Sequence, residues 1–270
     1  EDSDMVIFAR GTHDSRTLCH VSDEEAMKRP GLFHRLPRWN AMQKHVKTVG
    51  TQSAQVWLDR SATELGWMRG PGLVSALEPP FESWGDLSDT FETEQAWRDA
   101  NGIKNVHATR SIAYFTGVLS DKDIREHGHD EARLHELVRK NLYEKLTRGM
   151  TTLWPAATAD ISKTDEHPVL KALVGLEGTP LADLKQALEE QHMQANFKGS
   201  ERYTLAMPGT IAYRISPLDL SVANMTIAGD WTECSFNEGC VEAAVMSGML
   251  ASHAICGFPA LADIVGYDHP

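Results

Sequence analysis

The sequence is poor in the features that direct a chain out of the cell or fix a metal in it. Cysteine is scarce, with four among 270 residues: Cys19, Cys234, Cys240 and Cys256. Scattered cysteines favour a reducing compartment, and the spacing of Cys234 and Cys240 does not match a zinc site. The acidic start, residues 1–4, has no basic region before an apolar run, so no signal peptide is predicted. We expect a cytoplasmic protein.

Long apolar runs are also absent. The longest candidate, Val241 to Ile255, contains Glu242, Ser247 and His253, whereas a bilayer-spanning helix needs about 18 apolar residues. No transmembrane segment is therefore predicted. The net charge is −12, from 26 basic and 38 acidic residues. Because an acidic chain repels phosphate backbones, we expect no nucleic-acid partner.

Several catalytic signatures are missing. There is no Gly-x-Ser-x-Gly turn, which argues against an α/β-hydrolase. There is no Gly-x-Gly-x-x-Gly turn either, so the fingerprint that seats a dinucleotide is absent. Glu126, His127, His129 and His135 could suggest a metal cluster. A solvated, charged loop before a helix is the favoured interpretation, and no metal is predicted.

The remaining pattern is typical of an α/β protein. Three segments have strand character: Met5–Ala9, expected to be buried, then Thr48–Leu58 and Ser111–Leu119. The proline-containing stretch Gly66–Gly102 is predicted to be a long irregular loop, which is often functional. Tyr203–Met207 is predicted to be a further strand.

Two helices are predicted between these strands. Asp130 opens the first, whose apolar stripe consists of Leu134, Leu137, Val138, Leu142 and Leu146. Thr179 can cap the second, with Pro180 at its first position. The inward side chains of this second helix are expected to be Leu181, Leu184 and Leu188.

The segment from Asn224 to Cys256 carries the candidate chemistry. It predicts a central strand over Asn224–Ala228, a polar loop, and a helix over Asn237–Ile255. Small residues four apart on this helix are expected to pack against the sheet: Gly239, Ala243, Ser247 and Ala251 in one row, and Cys240, Ala244, Gly248 and Ser252 in the other. The other side should be ordinary core, formed by Val241, Val245, Met249 and Leu250.

This strand-loop-helix unit could bind a polar ligand. Ligands of α/β sheets lie at the carboxyl ends of strands, where Asp230 is placed. Its carboxylate can accept hydrogen bonds from ligand hydroxyls, and the free N–H groups near Gly239 suit an electron-rich group. The alternative is a plain βα unit in which Asp230 is only a loop residue. The residues alone leave both interpretations open.

A family resemblance favours the ligand site. Residues 227–232, Ile-Ala-Gly-Asp-Trp-Thr, and residues 237–248 together resemble the C-terminal FAD motif of the flavin amine oxidase superfamily. They are especially similar to its desaturase-like branch near carotenoid and squalene metabolism. The resemblance implies FAD as cofactor, with the ribityl chain at Asp230 and the pyrimidine edge of the flavin at the helix start. The implied cofactor-binding residues are Gly229, Asp230, Trp231, Gly239, Cys240 and Val241.

A weaker resemblance upstream implies the domain organisation. Residues 1–45 would end a Rossmann-like FAD-binding domain and link it to a mixed-sheet substrate domain with helices at 46–214. Residues 215–270 would return to the FAD domain. Strands of the substrate domain roof the flavin in this family, which gives five pocket candidates: Gln52, Gln55, Trp57, Tyr114 and Thr116. Ordinary sheet packing remains an equal alternative for each.

We therefore expect the C-terminal part of a flavin-dependent oxidoreductase of amine oxidase or desaturase type. The flavin would accept a hydride from a C–H or C–N bond of a small-molecule substrate, and no catalytic acid or base is assigned. The missing Gly-x-Gly-x-x-Gly turn leaves the ADP half of FAD without a seat. This absence suggests a truncated chain and a partner that carries the N-terminal FAD domain. The alternative function is a non-catalytic binding or structural half of a split or truncated flavoprotein.

Overall fold

The computed structural model describes residues 5–11, 36–102, 109–128, 130–158, 168–175 and 184–267. Two compact units divide the chain: a terminal unit of residues 1–49 and 197–270, and a central unit of residues 50–196. The terminal unit has parallel strands and the central unit an antiparallel sheet with helices. The predicted mixed α/β class is therefore confirmed.

The described strands and helices follow in chain order. The strands are β1 (Val6–Phe8), β2 (Thr48–Leu58), β3 (Leu73–Val74), β4 (Ser83–Asp86), β5 (Ser111–Leu119), β6 (His192–Asn196), β7 (Tyr203–Thr204) and β8 (Met225–Ile227). The helices are α1 (Pro37–His45), α2 (Ala62–Leu65), α3 (Ser88–Ala100), α4 (Asp121–His127), α5 (Glu131–Arg148), α6 (Pro155–Thr158), α7 (Pro168–Lys171), α8 (Leu184–Glu189) and α9 (Val241–Cys256). No helix in the described ranges is long and apolar enough to cross a membrane.

The central unit is built on an antiparallel sheet of order β3-β4-β5-β2-β6. β2 and β5 are confirmed with the predicted bounds, and they pair from Gly50↔Leu119 to Leu58↔Ser111. One face of the sheet is apolar because alternate side chains of a strand share a face. Its buried residues are Ala54, Val56, Leu58, Ala113 and Phe115. The opposite face is the polar one, which an antiparallel sheet can leave less covered.

Helix α5 lies on the apolar face of this sheet. Asp130 caps it as predicted, with its carboxylate accepting from the Arg133 amide at 3.4 Å. Four of the five predicted stripe residues are buried: Leu134, Val138, Leu142 and Leu146. Leu137 is only partly buried. The second predicted helix is described from Leu184, and its predicted start at Thr179 and Pro180, with Leu181, lies outside the described residues.

The predicted loop over Gly66–Gly102 is wrong. This stretch contains β3, β4 and the 13-residue helix α3. The four residues of β4 include a glycine and an aspartate, which have low strand propensity. Pairing with β5, through Trp84↔Phe115 and Gly85↔Tyr114, makes them a strand. Their structure therefore depends on a partner distant in sequence.

A glutamine side chain closes one edge of the sheet. β6 pairs with β2 only up to Gln55↔His192. Beyond that point, the Trp57 amide donates to Gln191 Oε1 at 2.9 Å, and the Trp57 carbonyl accepts from the Val174 amide at 3.0 Å. The Gln191 amide group in turn donates to the Val174 carbonyl at 2.9 Å. The Gln191 side chain and the isolated bridge Leu58↔Leu173 thus take the place of β6 at this end of β2.

The terminal unit contains the parallel pair β1 and β8, in register Val6↔Met225 to Phe8↔Ile227. Ile7 and Ile227 therefore lie in one sheet, which joins strands from distant parts of the sequence. The central position expected for β8 is wrong, since among the described strands only β1 pairs with it. The burial expected for β1 is also wrong, because Val6 and Ile7 are 40% and 55% exposed. No further strand or helix in the described ranges covers that side.

Helix α9 begins four residues later than predicted, at Val241, because Cys240 is its extended N-cap. The row of Gly239, Ala243, Ser247 and Ala251 is buried, as expected. The packing expected for the row that contains Ala244 and Gly248 is wrong, since both residues are exposed. The core expected opposite is also largely wrong: Leu250 is buried, but Val241, Val245 and Met249 are exposed. Only one side of the helix therefore has a partner within the described chain.

Two small cores hold the terminal unit together. The first lies beneath β8 and α1 and consists of Trp39, Met42, Val46, Ile215, Ile227 and Trp231. The second lies beneath α9 and consists of Cys234, Ala243, Met246, Leu250 and Ile264. The predicted strand Tyr203–Met207 is shorter than expected, since β7 ends at Thr204. β7 pairs with the first two residues of β2, which belong to this unit.

Candidate functional site

The loop after β8 places Gly229, Asp230 and Trp231 at the carboxyl end of a parallel strand. Gly229 has φ of 143°, and a Cβ there would collide with the indole of Trp231. Glycine is needed at this position for both reasons. Trp231 is 1% exposed and packs in the first core, on Ile227 and its neighbours. The indole therefore anchors the loop, and the observed role of Trp231 is to pack in the core.

The hydroxyl of Ser247 fastens this loop to helix α9. It accepts a hydrogen bond from the Gly229 amide at 3.0 Å and lies 2.8 Å from the Thr232 hydroxyl. Ser247 and Thr232 are fully buried. The contact explains why the row of small residues that includes Ser247 faces inward, since a larger side chain would separate helix and strand.

The Asp230 carboxylate is partly buried and has few partners. Thr204 donates to its Oδ1 at 3.4 Å, and the backbone around Asp230 and Trp231 also donates to it. Burial raises the pKa of Asp230, and the nearby Arg214 opposes this rise. A carboxylate in this position retains lone pairs for further donors, since each carboxylate offers about four acceptor sites.

Arg214 also contacts this loop, and the sequence did not single it out. It is 2% exposed, and its Nη1 donates to the carbonyl oxygens of Asp230 at 2.6 Å and Thr232 at 3.3 Å. Its Nε and Nη2 have no hydrogen-bond partner among the residues that the structure describes. Burial lowers the pKa of the guanidinium, while Cys234, Asp230 and other acidic groups around it raise the pKa.

Helix α9 starts beside this loop. The Cys240 sulfur accepts from the Ala243 amide at 3.4 Å, so the thiol already has a capping role. Gly239 is buried, and a Cβ there would lie 2.7 Å from the Thr204 carbonyl. Val241, the first helical residue, is 75% exposed. The predicted residues Gly239, Cys240 and Val241 therefore have three different environments: packed, capping and open.

Tyr203 is a second residue that the sequence did not single out. Its ring lies against Gly239, whose Cβ would be 2.9 Å from it. Burial raises the pKa of Tyr203, the negative groups of Glu238, Cys240 and Asp230 raise it further, and Arg214 opposes them. These shared interactions place Tyr203, Asp230 and Arg214 in one electrostatic cluster within the terminal unit, at the start of α9.

The five pocket candidates lie on two faces of the central sheet. Gln55, Trp57, Tyr114 and Thr116 share the polar face, since Gln55 pairs with Tyr114 and Ser53 with Thr116. All four are partly buried. Gln52 lies on the apolar face beneath α5.

The Gln52 amide has a structural role. It donates to the Pro80 carbonyl at 2.6 Å and accepts from Asn141 at 2.8 Å. The sheet thus separates Gln52 from the other candidates. Among the described residues, no group of three His, Cys, Asp or Glu side chains could hold a metal ion; His129 lies outside that part of the chain.

Comparison with known proteins yields little. No protein-family model matches the chain. No curated protein matches it either. Among solved structures, it is similar to the crystal structure of an oxidoreductase from Methanosarcina mazei, at 10% sequence identity and a TM-score of 0.45. The match covers 92% of this chain and 42% of that one, so the chain spans less than half the length of this oxidoreductase.

Proposed function

We propose that the Asp230 loop and the start of α9 bind the flavin-proximal part of FAD, and that the chain serves an oxidoreductase acting on a small molecule. One observation carries the proposal: a partly buried carboxylate at the end of a parallel strand, next to the first turn of a 16-residue helix. The motif over residues 227–248 supports the same assignment through its resemblance to the flavin amine oxidase superfamily.

The residues present fit such a cofactor. The Asp230 carboxylate can accept hydrogen bonds from the ribityl hydroxyls, and such charge-assisted bonds are strong. In the first turn of α9 the Cys240 sulfur already accepts from the Ala243 amide, whereas the Val241 and Glu242 amides have no intrahelical acceptor, and the helix dipole is positive there. The guanidinium of Arg214 adds positive charge to the cluster, and two of its nitrogens have no acceptor among the described residues. Together these groups suit a ligand with hydroxyls at one end and carbonyl oxygens at the other.

The redox chemistry would come from the cofactor, since a flavin accepts a hydride or its equivalent from a C–H or C–N bond. The chain would orient it and supply the electrostatic environment. Four of the five pocket candidates, Gln55, Trp57, Tyr114 and Thr116, share the polar face of the central sheet and stay candidates for substrate contacts. Gln52 is not among them because its amide is engaged on the other face.

Asp230→Asn tests the cofactor site. We expect FAD to bind the variant about tenfold more weakly, because a charge-assisted hydrogen bond is replaced by a neutral one. Quenching of flavin fluorescence on titration with the 270-residue chain measures the dissociation constant. Glu233→Gln is the matched control, since it makes the same change of charge at an exposed site on the same loop. Equal affinity in both variants, or no binding by the unaltered chain, would refute the proposal.

A second candidate is a binding half without catalysis, completed by a chain that carries the ADP-binding part of the FAD domain. The exposed apolar side of α9 favours it: Val241, Val245 and Met249 line a groove with Phe236 and Val265. Substrate-dependent bleaching of the bound flavin distinguishes the two. Bleaching supports an oxidoreductase, whereas bound flavin that no amine or polyene substrate reduces supports the binding half.

A further inference from the structure

We infer that Arg214 is a positioning residue of the Asp230 site: its buried guanidinium fixes the loop through two carbonyl oxygens and holds the charge of Asp230 in place. The cofactor assignment on which this inference rests is the one proposed above. No motif singles out Arg214, and its role follows from its contacts.

Arg214 holds the loop by hydrogen bonds from one atom. A single nitrogen, Nη1, lies 2.6 Å from the Asp230 carbonyl and 3.3 Å from the Thr232 carbonyl. These two residues flank Trp231, so the guanidinium spans the turn that directs the Asp230 side chain. The Gly229 amide holds the other end of the same turn on Ser247. Ser247 also contacts Thr232, so what Arg214 adds is a hydrogen bond to the carbonyl of Asp230 itself, which Ser247 does not contact.

Burying the charge of Arg214 costs free energy. A charged group that is 2% exposed is costly unless it is paired. Arg214 forms no carboxylate salt bridge in the described chain, and two of its nitrogens lack an acceptor. A neutral side chain of similar volume would avoid this desolvation cost. The cost is offset if the positive charge stabilises the neighbouring Asp230 carboxylate.

Arg214 also favours the charged form of Asp230. The titratable groups that act on this cluster are Arg214, Tyr203, Cys234, Cys240 and Glu238. Burial raises the pKa of Asp230, and Arg214 is the group that lowers it most. Without Arg214 the carboxylate would take up a proton at a higher pH. A protonated Asp230 loses its charge and with it the strong acceptor that a ligand hydroxyl needs.

Arg214→Met and Arg214→Lys test the inference in the full chain. Carboxyl-¹³C aspartate labelling reports the titration of Asp230, with Asp230→Asn giving the assignment. We expect the midpoint to move to higher pH in Arg214→Met and to stay close to that of the unaltered chain in Arg214→Lys, which keeps the charge. FAD affinity at pH 7 should fall about tenfold or more in Arg214→Met.

Arg214→Lys should also lose affinity, because the shorter lysine side chain does not bring its nitrogen as close to the two carbonyl oxygens as Nη1 lies. Arg38→Met is the control, since it removes an exposed arginine of the same unit that pairs with Asp219 at 2.6 Å. It should leave both the Asp230 midpoint and FAD affinity unchanged. If Arg214→Met fails to fold, the lysine variant still decides: unchanged FAD affinity together with an unchanged amide spectrum of residues 229–232 would overturn the inference.

The two proposals fail in different ways. An unchanged Asp230 titration in a folded Arg214→Met variant overturns the positioning role, even if the unaltered chain binds FAD. A shifted titration in a chain that binds no FAD supports the role of Arg214 and refutes the cofactor assignment. The expected result is a shifted titration together with weakened flavin binding.

Discussion

The central sheet and the β1–β8–α9 layer differ in how much of their apolar surface they cover. In the central unit the apolar face of the sheet is buried beneath α5, with Phe115, Val56 and Leu142 fully inaccessible. In the terminal unit β1 has exposed Val6 and Ile7, and α9 has an exposed side with Val241 at 75%. One region closes its own core, and the other leaves apolar surface open.

The difference follows from strand direction. An antiparallel sheet needs only one covered face, and α5 supplies that cover. Parallel strands are normally buried on both faces, and an isolated pair of strands is marginal in water. In the terminal unit the strands and α9 are buried on one side only, by the cores around Trp231 and Leu250. The comparison predicts that equal truncations cost most in the central sheet and least on the open side of α9.

The largest loss of stability is expected for Phe115→Ala. The ring is fully buried, with its centroid 6.2 Å from that of Phe81 and 5.9 Å from that of Trp154. Truncation leaves a cavity, so we expect the free energy of unfolding to fall by about 3–5 kcal/mol. Urea denaturation measures it. Val118→Ala, on the same strand but half exposed, should cost no more than about 0.5 kcal/mol. Similar costs for both variants would contradict a closed core.

An intermediate loss is expected on α9, where two neighbouring residues face opposite ways. Leu250 is fully buried, so Leu250→Ala should cost about 2–5 kcal/mol. Met249 is 40% exposed, and Met249→Ala should cost well under half as much. Thermal and urea unfolding of the pair tests the one-sided helix directly. Equal costs would mean that a further layer covers the Met249 side.

The smallest effect, and one of opposite sign, is expected for Gly248→Ala. A Cβ at this position meets no atom within 4 Å, so no overpacking arises. Alanine in the middle of a helix is favoured over glycine by about 1 kcal/mol, and we expect a gain of about that size. A shift of the urea midpoint to higher concentration checks it. Destabilisation would restore the sequence-based expectation that this row packs on a sheet.

Elements with a strong local pattern could be predicted from the sequence. β2 and β5 alternate over nine or more residues, and α5 combines an apolar stripe with Asp130 as its cap. β4 could not, because its residues become a strand only by pairing with β5. The exposed side of α9 could not be predicted from the sequence either. Small and apolar residues indicate close packing whether or not the partner is present in the chain.

The candidate site was predictable in part for similar reasons. A strand followed by glycine, aspartate and a helix is visible in sequence, so Gly229 and Asp230 were identified. Arg214 is brought to them only by tertiary structure. Gln52 and Gln55 lie on opposite faces of the sheet, as residues an odd number apart on a strand do. The FAD assignment itself remains a prediction.

Gln191 gives the central sheet a protection that β1 lacks. With its amide and carbonyl both satisfied, Trp57 offers no free backbone group to another molecule at the end of β2. The Gln191 side chain and the bridge Leu58↔Leu173 occupy this end of β2, so we expect it not to pair with a strand of a second copy. Unprotected edges are where chains join into aggregates. We therefore expect the buried amide of Gln191 to protect this edge against intermolecular pairing, at a position where nothing in the local sequence suggests it.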